Sequence, residues 1–89
     1  MSTITEKDVD IDIDELLSSQ LILWNDDINS FQHVIACLIE ILDHHPEQAE
    51  QCAILVHTKG KCTVKNGSLL ELKPFKDLLV EMGLSVTIE

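Results

Sequence analysis

The sequence contains no arginine, and its six lysines stand against 16 acidic residues, giving a net charge of −10 over 89 residues. Phosphate backbones are held by clustered Lys and Arg, so nucleic acid is not the expected partner. An anionic membrane surface is disfavoured on the same ground. No apolar run approaches the roughly 18 residues that a membrane span needs. Aromatics are scarce: Trp24, Phe31 and Phe75, with no tyrosine. The three cysteines, Cys37, Cys52 and Cys62, are odd in number and lack C-x-x-C spacing. They read as small reduced thiols of a cytoplasmic protein. Residues 1–6 have neither a basic region nor an apolar stretch, so no secretory leader is expected.

Signatures of catalysis are missing as well. There is no Gly-x-Ser-x-Gly elbow, phosphate-cradling glycine loop or dinucleotide fingerprint. Cys37 and Cys52 fall on or beside apolar helix faces, where a thiol is inert packing. His33 and Cys37 are four apart on a helix, a spacing able to share one ion, but two ligands do not make a site. The expectation is a non-enzyme with no metal and no cofactor.

What remains is a chain with 45% apolar residues, enough for one small domain with a single modest core. Residues 1–17 are the exception. Six acids against Lys7 occupy the first 15 positions, and residues 8–14 alternate Asp with β-branched residues. This reads as a flexible acidic N-terminal extension, with an added edge strand as the other possibility. The D-x-D-x-D spacing does not make a calcium loop, because the sixth position is Ile13 and the twelfth is Ser19.

The core domain is expected over residues 18–89. Leu21-Ile22-Leu23-Trp24 reads as a buried strand closed by the polar turn Asn25-Asp26-Asp27. Asn29, with Gln32 three residues on, predicts a helix start. Phe31, Val34, Ile35, Leu38 and Leu42 then recur at helical spacing. Pro46 suits the first position of a second helix, which carries Ala49, Cys52, Ala53 and Val56 on one stripe and ends at Gly60. Residues 61–65 read as a strand. Ser68 with Glu71 could cap a helical turn, but Pro74 leaves two choices: a third helix starting there, or a separate turn before it. Leu84, Val86 and Ile88 alternate as a final strand. The order β-α-α-β-α-β predicts an α+β two-layer sandwich, with a small antiparallel three-stranded sheet packed against three helices.

Two features stand out as candidate chemistry. Asn25, Asp26 and Asp27 end a strand, where Asn and Asp are also ordinary turn formers. His57 shares a helix face with Ala53 and Val56, either as a core-edge histidine or as the rim of a shallow apolar pocket. A carboxylate, an amide and an imidazole at such a rim are acceptors suited to a protonated α-amino group, which has three donors.

These residues carry a resemblance. Leu21-Ile22-Leu23-Trp24-Asn25-Asp26-Asp27, followed by a helix, then Ala53-Ile54-Leu55-Val56-His57 and Gly60-Lys61, resembles ClpS, the adaptor of the ATP-dependent Clp protease. It implies a protein that binds the N-terminal Leu, Phe, Tyr or Trp of N-end-rule substrates and passes them to a AAA+ unfoldase, ClpA or ClpC. By position, Asn25, Asp26 and His57 would hold the α-amino group and first peptide link, with Asp27 shaping the turn. Asn29, Phe31, Val34, Ala53, Val56 and Leu84 would line the hydrophobic pocket. The acidic extension would serve delivery to the unfoldase, and the adaptor would be a monomer. The family usually has methionine at the positions of Phe31 and Ala53, so a reshaped pocket is expected. The alternative is a ClpS-like interaction module that docks a AAA+ or other partner without reading N-terminal residues.

Overall fold

The computed structural model describes residues 18–89; the acidic extension expected over residues 1–17 lies outside the described residues. The elements are β1 (Ser19–Trp24), α1 (Phe31–Leu42), α2 (Pro46–Lys59), β2 (Lys61–Gly67), α3 (Leu69–Glu81) and β3 (Ser85–Ile88). The strands form one antiparallel sheet in the order β2-β1-β3, which gives the expected α+β arrangement.

The uninterrupted apolar run of β1 takes the central strand, where Leu21, Ile22 and Leu23 are all buried. Strand alternation sends Leu21 and Leu23 into a core shared with Leu38 of α1, Val56 of α2 and Leu72 and Leu79 of α3. Ile22 is also buried but stands outside that cluster. Each fully buried leucine contributes about 1.5–3 kcal/mol by leaving water.

Strand β2 is less regular than its alternation predicts. Leu21 pairs with Lys65 but Ile22 pairs with Thr63, so Val64 is an extra residue in the ladder. Its carbonyl is taken by the buried His44, whose Nε2 donates at 2.8 Å. Next to the bulge, Lys65 lays its ammonium over the Phe75 ring at 5.1 Å.

Two helix starts differ from the sequence reading. Ser30, not Asn29, caps α1: its Oγ accepts the His33 N–H at 3.1 Å. Asn29 lies one residue before the cap, and its amide nitrogen donates to Asp26 and Gly83. In α3, Pro74 neither starts the helix nor splits it; one helix runs through it from Leu69. The reciprocal capping box of Ser68 and Glu71 fixes the start, each bond at 3.1 Å. Pro74 removes one donor, which would have reached Leu70. That residue is 78% exposed, so water can serve the orphaned carbonyl.

Candidate functional site

The end of β1 and the end of α2 meet at one point. Asn25 N–H donates to the Gly60 carbonyl at 2.9 Å, and Gly60, at φ +92°, closes α2 in the left-handed conformation. That bond sets the turn after β1 against the last turn of α2, where His57 lies. The first turn of α1 supplies the third side.

The result is one cavity of about 420 Å³ lined by Asn25, Asp26, Asp27, Asn29, Phe31, Val34, Ala53, Val56 and His57. The fold therefore brings nine of the ten sequence-predicted residues together. Leu84 is the one left out. It is buried in the main core, with its N–H bound to the Leu79 carbonyl at 3.1 Å. The i, i+3, i+4 spacing of Ala53, Val56 and His57 does place all three on the cavity side of α2. Ala53 and Val56 are buried, whereas Phe31 is 43% exposed and His57 is exposed.

The turn is built around Asp26. Its Oδ1 accepts from Ile28 N–H at 2.9 Å and from Asn29 N–H at 2.8 Å. Its Oδ2 accepts from Asn29 Nδ2 at 2.7 Å. The Asn29 backbone N–H, above all, holds the Asp26 carboxyl below its usual range; burial opposes this, while the Asn29 side chain, Ile28 and Ser85 assist. Asp26 is thus an ionised carboxylate with most of its lone pairs already used. The Asn29 amide nitrogen also donates to the Gly83 carbonyl at 2.9 Å.

Asn25, Asp27 and His57 are different. Among the described residues, no hydrogen bond or ion pair occupies their side chains. The site therefore offers free acceptors at its rim, an organised negative charge beside them and an apolar wall below. Such an arrangement can hold a cation that carries an apolar group, and it contains no nucleophile–base pair. Among the described residues no cluster of His, Cys, Asp and Glu is suited to a metal ion. His33 and Cys37 lie away from this cavity.

Of the α3–β3 connection only Leu84 is expected near the site, through the resemblance; the roles of Gly83 and Ser85 are not. Gly83 and Ser85 touch Asn29 and Asp26 only through tertiary structure. No local pattern links residues more than 50 positions apart.

Comparison with known proteins identifies a family and a fold. The profile of the family described as "ATP-dependent Clp protease adaptor protein ClpS" matches residues 17–87. An ATP-dependent Clp protease adapter protein ClpS from Thermosynechococcus vestitus is 31% identical over 68 residues, spanning 75% of this chain and 72% of that protein. Its counterpart in Nitratidesulfovibrio vulgaris is 30% identical over 71 residues, 78% of this chain and 71% of that one. Among solved structures, Agrobacterium tumefaciens ClpS2 bound to L-phenylalaninamide matches with a TM-score of 0.70 at 21% identity, covering 83% of this chain and 96% of that chain. At that identity the likeness is one of fold.

Proposed function

The chain belongs to the ClpS family of ATP-dependent Clp protease adaptor proteins, and on that premise we propose that its cavity holds the N-terminal residue of protein substrates for delivery to the protease. The observation that carries this reading is the coincidence, on one cavity, of Asn25, Asp27 and His57, whose side chains are unbonded among the described residues, with buried Ala53 and Val56. An α-ammonium group brings three donors. Asn25 and His57 accept from it and from the first peptide link, Asp27 adds charge at the rim, and Asp26 holds the turn and contributes its own charge. The first side chain descends between Phe31, Val34, Ala53 and Val56. Its burial supplies about 1.5–3 kcal/mol, and each charge-assisted hydrogen bond about as much again.

Bulky apolar first residues fit this wall: Leu, Phe, Tyr or Trp. The A. tumefaciens relative was solved with L-phenylalaninamide, a molecule with a free α-amine and a benzyl side chain, and this supports the assignment of the two halves. The protein acts as a non-catalytic monomer in the cytoplasm. Its partner is the AAA+ unfoldase of a Clp protease, of ClpA or ClpC type, with residues 1–17 serving delivery. Among the described residues no helix is long and apolar enough to cross a membrane.

Isothermal titration tests the reading directly. Short peptides beginning with Phe or Leu bind, and the same peptides N-acetylated bind at least about tenfold more weakly, the equivalent of one lost charge-assisted bond. Equal affinity for both forms, or no binding by either, removes the proposal.

A further inference from the structure

The His33–Cys37 pair has no part in the cavity, yet it reaches the turn on which the cavity rests. His33 Nε2 lies 2.9 Å from the Met82 carbonyl. A carbonyl can only accept, so Nε2 carries the imidazole proton and donates. The next carbonyl, Gly83, receives Asn29 Nδ2 at 2.9 Å. Two consecutive carbonyls of the α3–β3 turn are therefore held from the start of α1.

The thiol explains how His33 is aimed. Cys37 sits one helical turn further along α1, with its sulfur 3.5 Å from Nε2 and 4.0 Å from Nδ1. It is buried, and burial pushes its pKa up, so it stays a neutral thiol packed against the ring. The i, i+4 spacing that would suit a shared metal serves to fix a donor instead.

The turn it holds is narrow. Gly83 has φ +91°, its N–H donates to the Val80 carbonyl at 2.9 Å, and the chain continues directly into β3. There Ser85 pairs with Trp24 in the sheet, next to the turn that holds Asp26, and it helps to lower the Asp26 pKa. Asp26, Asn29 and Gly83 form a chain of hydrogen bonds, and His33 pins its far end from the adjoining peptide.

We infer that His33 is a positioning residue for the amine-binding turn: by holding the Met82 carbonyl it fixes the support from which Asn29 orients Asp26. This rests on the function proposed above and deepens it, since His33 touches no substrate.

Two variants of the full chain isolate the donor. His33→Met and His33→Gln are both unbranched and both good helix formers, but only the glutamine can donate to Met82. The first readout is amide hydrogen exchange without peptide, at Ile28 and Asn29, with the β1–β2 ladder as reference for global stability. The second is the ratio of affinities for the free and N-acetylated Phe peptide. In H33M, exchange at Ile28 and Asn29 rises about tenfold beyond the ladder, as for one lost hydrogen bond, and the affinity ratio falls several-fold. H33Q recovers most of both. The inference is overturned if H33M leaves both readouts unchanged, or if H33Q is as impaired as H33M. A chain that binds neither peptide removes the function and the positioning role together, a result distinct from intact discrimination that ignores His33.

Discussion

Asp26 and Asn29 bind each other twice, the backbone N–H of Asn29 to one carboxylate oxygen at 2.8 Å and its side-chain amide to the other at 2.7 Å. The pairing makes the turn sensitive to acid. Because these bonds lower the folded-state pKa of Asp26, the folded state binds its proton less readily than the unfolded chain does. The stabilisation is complete above the ordinary aspartate value of 3.8 and is lost as the pH falls below it. Glu71 has its pKa lowered too, first by the Ser68 backbone N–H, so the test is a difference. Urea unfolding of the wild type and Asp26→Asn between pH 7 and pH 2.5 should give curves separated by about 1–3 kcal/mol at neutral pH and converging in acid. A constant separation would contradict the assignment.

His57 should separate binding from stability. It is exposed, and among the described residues nothing bonds its ring. His57→Ala should leave the unfolding free energy within about 0.5 kcal/mol of wild type. Binding of a free-amine Phe peptide should weaken about 10- to 100-fold, the loss of one hydrogen bond to a charged group. Thermal melts and titration on the same sample check both halves.

The contrast between His57 and Asn29 shows what a sequence can disclose. His57, Val56 and Ala53 share a helix face by spacing alone, and a helix preserves spacing, so their common direction was legible before any coordinates. Phe31 and Val34 are legible for the same reason. Asn29 was misread as a helix cap because its side chain answers to Asp26 and to Gly83, and Gly83 is 54 positions away. Leu84, assigned to the pocket by the resemblance, packs in the main core, and nothing local separates a core position from a cavity position just before β3. The bulge at Val64 is likewise out of local reach, since its carbonyl is held by His44 from the α1–α2 connection. Local periodicity reports local direction; partners across the fold decide the rest.

Ala53 should govern the size of the first residue accepted. It is 3% exposed and lies on the cavity wall, so a longer side chain there must project into the space or strain the helix packing. Ala53→Met should weaken binding of a Trp-leading peptide by about 1–3 kcal/mol, the usual cost of overfilling a packed site. A Leu-leading peptide should lose less. Titration of both peptides against both proteins gives the comparison, and an equal loss for Trp and Leu would argue that the side chain sits elsewhere.

The thiols should set an alkaline limit. Burial, and then its contact with the Cys62 thiol, pushes the Cys52 pKa from 9.0 up to about 12. Here the folded state holds its proton more tightly than the unfolded chain. The resulting stabilisation is fully present below pH 9.0 and is lost progressively as the pH rises towards 12. Cys52→Ala removes this dependence, so its unfolding free energy should fall less steeply than that of wild type above pH 9.0. Reactivity offers a second check, because alkylation needs the thiolate and access to it. Iodoacetamide at pH 8 should label Cys62 first, since it is only half-buried, while Cys37 and Cys52 are buried. Peptide mapping by mass spectrometry should find those two modified only as fast as the protein unfolds. Fast labelling of Cys52 in the folded protein would mean that helix α2 opens locally from the sheet, and with it the wall that carries Ala53, Val56 and His57.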